Sequence, residues 1–224
     1  MEQYKKDFIE FMVRSKALTF GDFVTKSGRR TPFFINTGSY STGPQLALLG
    51  RYYAEALNQH IGDGFNVLFG PAYKGIPLAA AAAISLSADF SRNVSFCFNR
   101  KEAKDHGEGG EMVGHKLCAG DRVVIIEDVV TAGTSVRESV PLIKSHTGAE
   151  AVGLVVSVDR MERGQGNSNA LEELGEEFGL EAFSIVNLNE VMGYLHNRKI
   201  DGAVVLDDEV AGRISEYRRE YGCR

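Results

Sequence analysis

The feature that most constrains the fold is an alternation of short apolar runs with helical segments, which begins near residue 65. Each run is continuous, as expected for strands that are buried on both faces of a parallel sheet. Between the runs, apolar residues recur at the spacing of a helix. The pattern predicts an α/β fold with a central, mostly parallel sheet flanked by helices. The predicted strands cover about 65–69, 94–99, 123–126, 151–158 and 182–186.

The first 60 residues and the tail follow other patterns. A helix is predicted over about 3–16, and a second one follows Pro44. Between them, residues 18–38 predict short strands joined by a turn at Lys26-Ser27-Gly28. An alanine-rich helix is expected after the segment GPAYKGIP, and another one after the strand 123–126, ending at about residue 146. Further helices are expected at 171–178, at 189–196 and, as a charged surface helix, at 207–221.

Length, charge and cysteine usage exclude several classes of protein. The 224 residues predict a single domain, and no apolar run reaches the roughly 18 residues of a membrane span. The N-terminus mixes charged and apolar residues, unlike a secretory signal. Three widely spaced cysteines are typical of a reduced compartment and indicate neither a disulfide framework nor a metal knuckle. A net charge of −5 argues against a general nucleic-acid surface. We therefore expect a soluble, cytoplasmic protein.

One predicted strand runs directly into two neighbouring acids, in the segment VVIIEDVVTAGTS. In parallel sheets, ligands bind beyond the carboxyl ends of the strands. The following turn is rich in small and hydroxyl residues, and a helix is expected to begin near Ser135. Unpaired N–H groups and the helix dipole make such a start an anion site. For TAGT alone, an ordinary helix start with Thr134 as the N-cap stays open as an alternative.

The acid pair favours the ligand site. Glu127 and Asp128 would repel each other at a strand end, whereas both could accept hydrogen bonds from ribose hydroxyls beside a phosphate. A hydrophobic strand, two acids, two apolar residues and TAGTS together resemble the phosphoribosyl pyrophosphate (PRPP) signature of the type I phosphoribosyltransferases. The resemblance implies that the acids hold the ribose hydroxyls and that the turn holds the 5′-phosphate. The implied PRPP-binding turn comprises Val129, Val130, Thr131, Ala132, Gly133, Thr134 and Ser135.

The segment RKEAKDHGEGG resembles the catalytic lid of the orotate phosphoribosyltransferases. Read without that resemblance, residues 98–115 are a solvated, mobile loop in which four acids outnumber three permanent cations. The resemblance implies a mobile lid over about 100–116 that closes over PRPP. It also implies a homodimer, because the lid of this family usually serves the active site of the neighbouring subunit. The implied PRPP contacts, shared across subunits, are Arg100, Lys101, Lys104 and His106. For His106, two roles stay open: a contact to the diphosphate, and a role in ordering the lid.

Two more segments resemble PRPP and orotate sites of that family. GPAYKGIP is similar to its pyrophosphate loop, which implies contacts from Tyr73 and Lys74 and, in many members, a non-proline cis peptide. KSGRRTPFFINTG is similar to its N-terminal hood, which implies that Lys26 reaches both substrates and that Phe34 covers the orotate ring. Ile35 stands where many relatives have a second phenylalanine. Read without the resemblance, GPAYKGIP is a plain strand-to-helix turn, and KSGRRTPFFINTG is a hairpin with core phenylalanines.

The segment VSVDRMERG ends a predicted strand with Arg160. Its match in the family binds the carboxylate of orotate, a task that suits the planar fork of arginine. Read alone, Arg160 is a surface salt-bridge partner. The resemblance also implies an orotate contact from Thr131. It covers about residues 7–198, and the function of 200–224 stays open.

The resemblance implies a single phosphoribosyltransferase domain over 1–224, with a hood made from about 1–40 and C-terminal elements. The implied reaction, in de novo UMP synthesis, converts orotate and PRPP to orotidine 5′-monophosphate and pyrophosphate. The implied cofactor is Mg²⁺, held mainly by substrate oxygens and water with Glu127 and Asp128 as candidate ligands. The implied catalytic residues are Lys104, Asp128, Glu127 and Lys26.

Two rivals share the phosphate turn. A purine-base phosphoribosyltransferase would lack the combination of KSGR, the lid sequence and DRMERG. A non-catalytic PRPP-sensing regulator on the same fold should carry a DNA-binding segment and a basic face, and this chain has neither. Fold alone does not decide between these functions.

Overall fold

A six-stranded sheet forms the centre of the computed structural model, which describes residues 1–25, 28–101, 111–146, 148–164 and 166–223. The strands are β1 (Leu18–Val24), β2 (Arg30–Ile35), β3 (Val67–Phe69), β4 (Ser95–Asn99), β5 (Met112–Gly114), β6 (Arg122–Glu127), β7 (Glu150–Asp159), β8 (Glu181–Asn187), β9 (Lys199–Ile200) and β10 (Ala203–Val204). The helices are α1 (Gln3–Arg14), α2 (Gly43–His60), α3 (Gly75–Phe90), α4 (Thr134–Lys144), α5 (Ala170–Phe178), α6 (Leu188–Leu195) and α7 (Asp208–Tyr221).

The order of the central sheet is β5-β4-β3-β6-β7-β8. All of its neighbouring strands are parallel except β5, which lies antiparallel to β4 at one edge. Phe69 pairs with Ile125, and Glu127 pairs with Val156. This register brings the carboxyl ends of β3, β6 and β7 to the same edge of the sheet. The predicted α/β fold is confirmed.

Hydrophobic cores cover both faces of the sheet, as the continuous apolar strands predict. Val124 and Ile126 of β6 point into a core shared with α1, α2 and α3. Val123 and Ile125 of the same strand point into a second core, shared with α4 and α5. Alternate residues of one strand are therefore buried on opposite faces, and the end of β6 is held rigidly between two layers of helices.

A small hood packs at one side of the sheet. Its strands β1 and β2 form an antiparallel hairpin, in which Leu18 pairs with Ile35. Lys26 and Ser27 of the predicted turn lie outside the described residues. The tail is a helix, as predicted, but it is more than a surface helix. Ile214 and Tyr217 of α7 are buried in the same core as α1 and the hood.

Three short strands were not predicted. β5 lies within the segment predicted as a mobile lid, so residues 112–114 of that segment belong to the edge of the sheet. The hairpin of β9 and β10 follows α6. These three strands are too short to show a period in the sequence, and only pairing with a neighbour defines them. The three-residue strand β3 could be predicted because it lies in the longer apolar run 65–69. Across the described residues, no helix combines the length and the apolar character needed to cross a membrane.

Candidate active site

The turn between β6 and α4 encloses a cavity of about 320 Å³. Gly133 occupies the N-cap position of α4 with a φ of 72°, and no side chain caps the helix start. The alternative with Thr134 as the N-cap is therefore wrong, because Thr134 is already the first helical residue. The uncapped N–H groups and the helix dipole favour an anion at this point. The lining residues are Lys101, Val129, Val130, Thr131, Ala132, Gly133, Thr134, Ser135 and Glu138.

The carboxylate of Asp128 is held in place by three hydrogen bonds. Its Oδ2 accepts from Lys74 Nζ and from Thr37 Oγ1, each at 2.7 Å, and its Oδ1 accepts from the backbone N–H of Val129 at 2.9 Å. Only 7% of the residue is exposed. Lys74 supplies a positive charge that offsets the repulsion between Glu127 and Asp128. The sequence alone did not indicate this ion pair. The structure thus joins two predicted PRPP-binding residues, Lys74 and Asp128, in one contact.

Glu127 relieves the repulsion between the two acids in a different way. Burial, with a further contribution from the charge of Asp128, raises the pKa of its carboxyl to about 7, although a hydrogen bond from Ser135 opposes the shift. Part of the Glu127 population is therefore protonated near neutral pH. Buried hydroxyls fix the backbone of both acids: Tyr53 donates to the Glu127 carbonyl at 2.7 Å, and Ser157 donates to the Asp128 carbonyl at 2.6 Å.

The raised pKa of Glu127 predicts a pH dependence of stability. Its pKa is about 7 in the folded protein and near 4.5 in the unfolded chain, so the folded state binds the proton more tightly. The stabilisation is fully present below about pH 4.5 and is lost as the pH rises to 7. Between pH 4.5 and 8 we expect the free energy of unfolding to fall by about 1–3 kcal/mol more in the wild type than in Glu127→Gln. Urea unfolding of both proteins across this range measures the difference, and parallel curves would contradict the prediction.

The loop between β3 and α3 approaches the same strand ends. Its peptide bond Ala72–Tyr73 is cis, as the family resemblance implied. The backbone N–H of Ala72 donates to Asn99 Oδ1 at 2.9 Å, which ties the loop to the end of β4. Tyr73 is 71% exposed. A Cβ on Gly70 would lie only 2.2 Å from the carbonyl oxygen of Gly75, so this tight turn requires glycine.

The predicted orotate residues of the hood divide into core and surface. Phe33 is fully buried, as the core alternative expected, whereas Phe34 is 39% exposed and stacks on Phe23 with the ring centroids 5.5 Å apart. Ile35 is half-buried at the end of β2. Phe34 therefore presents an exposed aromatic ring.

Arg160 lies at the end of β7 and is not a surface residue. Its side chain is only 10% exposed, and the guanidinium lies 4.5 Å above the ring of Phe33. Its Nε donates to Glu162 Oε1 at 2.9 Å, and its Nη2 donates to the same oxygen at 2.6 Å. The salt bridge expected from the sequence alone is present, but it is partly buried between the sheet and the hood.

Comparisons with known proteins identify the family. The family model described as "Phosphoribosyl transferase domain" matches residues 36–170. A curated relative, the orotate phosphoribosyltransferase of Clostridium acetobutylicum, is 56% identical over 224 residues. The match covers 100% of both chains. The chain belongs to the orotate phosphoribosyltransferase family. Another member, from Lachnoclostridium phytofermentans, is 54% identical over 222 residues, with 99% of each chain covered.

Solved structures agree with this assignment to the orotate phosphoribosyltransferase family. The crystal structure of the orotate phosphoribosyltransferase from Francisella tularensis is 34% identical to this chain and superposes with a TM-score of 0.82. The match covers 96% of this chain and 99% of that one. The adenine phosphoribosyltransferase of Leishmania donovani is 15% identical, with a TM-score of 0.53 and coverage of 81% and 80%, which shows a common fold alone. The chain therefore has the type I phosphoribosyltransferase fold.

Several residues predicted from the orotate phosphoribosyltransferase family lie outside the described residues. These are Lys26, Lys104 and His106, and their roles stay predictions. The ends of the predicted lid are described. The backbone N–H of Arg100 donates to the carbonyl of Glu111 at 2.7 Å, and Lys101 lines the cavity after β6. The described ends of the predicted lid therefore meet at the end of β4, beside the turn that follows β6.

Sequence reasoning missed the residues that hold the functional groups in place. Thr37, Tyr53 and Ser157 bond to the acid pair, and Asn99 bonds to the cis-peptide loop. Threonine, tyrosine, serine and asparagine are ordinary surface residues in a sequence. For Asn99 and Ser157 there was one usable signal, since each is a polar residue at the carboxyl end of a predicted strand. Thr37 and Tyr53 had none.

Proposed function

We propose that this protein is an orotate phosphoribosyltransferase that transfers the 5-phosphoribosyl group from PRPP to orotate in UMP synthesis. The observation that carries the proposal is the meeting of three groups at one edge of the sheet: the anion cavity after β6, the paired acid Asp128 and the partly buried Arg160 after β7. The names of the full-length relatives support the choice of orotate.

The PRPP site follows from the charges along this edge. The 5′-phosphate is expected in the cavity after β6, at the uncapped start of α4. The carboxylates of Glu127 and Asp128 are acceptors for the ribose hydroxyls. Lys74 and Lys101 place positive charge where the diphosphate would lie. Other predicted contacts to PRPP are Lys26, Tyr73, Arg100, Lys104 and His106.

The orotate site follows from Arg160 and the hood. A guanidinium donates two parallel hydrogen bonds to a carboxylate, and the carboxylate is what distinguishes orotate from uracil. Phe34 offers an exposed aromatic face to the pyrimidine ring. Lys26, Ile35 and Thr131 are the remaining predicted contacts.

Catalysis in this proposal is mostly positioning and electrostatics. Orotate N1 forms a bond to ribose C1′ while the bond from C1′ to the pyrophosphate oxygen breaks, and that oxygen keeps the electron pair. Positive charge develops on the sugar, beside Asp128 and Glu127, and negative charge develops on the leaving group, beside Lys74 and the lid cations. Exclusion of water from C1′ prevents hydrolysis of PRPP.

The residues present fit the expected Mg²⁺ ion. Magnesium prefers oxygen ligands and keeps several of its waters. The end of β6 offers the carboxylates of Glu127 and Asp128. Within the part of the chain that the structure describes, neither acid belongs to a group of three or more side chains close enough to hold an ion. This fits an ion carried mainly by PRPP oxygens and water, with one of these acids as its protein ligand. When bound, the ion neutralises charge on the diphosphate.

An exposed apolar stripe on α3 supports the proposed homodimer. α3 is alanine-rich and mostly buried, yet Ile84 is 69% exposed. Pro77 and Ala88 are exposed on the same side of the helix, seven residues before and four residues after it. Contiguous exposed apolar surface is typical of protein interfaces, and we propose that these residues lie in the dimer contact. A second copy of the chain would cover this stripe and contribute its lid residues, Arg100, Lys101, Lys104 and His106, to the neighbouring site.

Subunit sharing predicts complementation between two inactive variants. Lys104→Ala removes a lid cation, and Asp128→Asn alters the ribose site. In a hybrid dimer with shared sites, one site carries both changes and the other carries neither. After subunit exchange we expect the mixture to recover up to about a quarter of wild-type activity, since half of the dimers are hybrids with one intact site each. Each variant alone is the control. Exchange detected by mass labelling without any recovered activity would contradict a shared site.

A direct assay separates the proposal from its rivals. In the presence of PRPP and Mg²⁺, orotate should be consumed rapidly, as measured by loss of its ultraviolet absorbance. Adenine, hypoxanthine and uracil should react at least about 10²-fold more slowly, because they leave Arg160 without a carboxylate partner. A preference for a purine would support the purine-base rival. PRPP binding without turnover of any base would support the regulator.

We also propose that the protein works in the cytoplasm.

A further inference from the structure

We propose that Glu162, Arg29 and Tyr217 form a positioning group that holds the guanidinium of Arg160 ready for the carboxylate of the pyrimidine ligand. The inference rests on the proposed function and extends it to the C-terminal helix α7, for which the sequence suggested no role. None of the three residues needs to touch the ligand. They act through Arg160.

Glu162 is the centre of this group. Its carboxylate is only 11% exposed and accepts hydrogen bonds from three different side chains. Oε1 accepts from Arg160 through both Nε and Nη2, and from Tyr217 Oη at 2.8 Å. Oε2 accepts from Arg29 Nη1 at 3.0 Å. Arg29 Nη1 also donates to Tyr217 Oη at 3.3 Å, which closes the network.

The charge balance of the group suits a carboxylate ligand. An arginine paired one-to-one with a glutamate would be neutralised and would attract an anion weakly. Here two guanidinium groups, Arg160 and Arg29, share the single carboxylate of Glu162, so the cluster keeps a net positive charge. Among the described residues, Arg160 uses two of its five N–H donors on Glu162, and a further side-chain hydrogen bond joins it to Tyr217. Its remaining donors can pair with a ligand carboxylate in a fixed plane.

Apolar packing and backbone pairing tie α7 to this cluster. The fully buried ring of Phe33 lies between the guanidinium of Arg160, at 4.5 Å, and the ring of Tyr217, whose centroid is 5.8 Å away in an edge-on arrangement. The backbone of Glu162 forms a bridge with Gly222, and Arg163 donates its N–H to the Tyr221 carbonyl at 3.0 Å. The end of α7 is therefore joined to the segment that carries Arg160.

The variant Tyr217→Phe tests the inference, because it removes one hydroxyl and keeps the ring against Phe33. Tyr221→Phe is the matched control: it removes a hydroxyl from the same helix, but one that is hydrogen-bonded to Glu220 rather than Glu162. The probes are orotidine 5′-monophosphate and UMP, which differ only in the carboxylate. By calorimetry, Tyr217→Phe should weaken binding of orotidine 5′-monophosphate about fivefold and leave UMP binding within about twofold. Tyr221→Phe should change neither.

Kinetics should show the same selectivity. In Tyr217→Phe, the KM for orotate should rise about fivefold while kcat and the KM for PRPP stay within about twofold. In an Arg160→Ala background, Tyr217→Phe should have no additional effect on binding of orotidine 5′-monophosphate, because the residue through which it acts is gone. A merely structural role would instead weaken both nucleotides equally and lower the unfolding temperature.

The two possible failures are distinguishable. If the proposed function is wrong, the wild-type protein will not consume orotate in the presence of PRPP. If only the positioning group is wrong, wild-type turnover will be normal, and Tyr217→Phe will bind both nucleotides as Tyr221→Phe does. Equal losses for both nucleotides in Tyr217→Phe would also overturn the inference.

Discussion

Replacement of Asp128 by asparagine is expected to lower kcat/KM for PRPP by about 10²- to 10³-fold with the fold intact, the size typical of a lost charged group at a reacting centre. Its carboxylate joins Lys74, Thr37 and the N–H of Val129 in one network. An asparagine side chain removes the negative charge beside the developing sugar cation. It also removes the ion-pair partner of Lys74. Steady-state assays with varied PRPP measure the effect.

Asp121→Asn provides a matched control for this prediction. Asp121 is a buried acid just before the start of β6, whereas Asp128 follows the end of the same strand. It also accepts three hydrogen bonds, from His115, Cys118 and Asn66. We expect Asp121→Asn to reduce stability but to leave kcat/KM of the folded protein within about threefold. Equal activity losses in both variants would mean that disruption of β6, and not the chemistry of Asp128, explains the result.

Replacement of Gly133 by alanine is expected to raise the KM for PRPP by about 10- to 100-fold. The φ of 72° at this position costs an alanine roughly 1–2 kcal/mol. The new Cβ would also lie 2.8 Å from both terminal methyl carbons of Leu174, which is buried in the core. The turn must shift to relieve this contact, and the N–H groups of the anion cavity shift with it. Kinetics at varied PRPP and PRPP calorimetry both measure the change.

Gly120→Ala separates backbone strain from damage to the cavity. Gly120 also has a positive φ, of 89°, but a Cβ there would meet no atom within 4 Å. It precedes β6 and therefore lies at the end of the strand opposite the cavity. The two variants should lose stability through the same backbone strain, while the KM for PRPP changes only in Gly133→Ala. An unchanged KM in Gly133→Ala would argue against a phosphate in this cavity.

Much of the fold and part of the site could be predicted, because their signals are local in the chain. Continuous apolar runs define β6 and β7, and helical spacing defines α1 and α2. The turn after β6 is a single stretch in which strand, acids and helix start follow one another, so one sequence window contains every lining residue of the cavity except Lys101. Short β5 and the β9–β10 hairpin have no such signal, because two or three residues show no period.

The sequence by itself determined the sheet, the acid pair and, through resemblance, the choice of PRPP and orotate. Only the tertiary structure decided how the charged groups are paired. Lys74 bonds to Asp128 across 54 positions, and Tyr217 bonds to Glu162 across 55. Such contacts leave no local pattern, since they arise when distant strand ends and the tail helix meet in the fold. The same packing decides the protonation of Glu127, because its pKa depends on burial among residues far away in the chain.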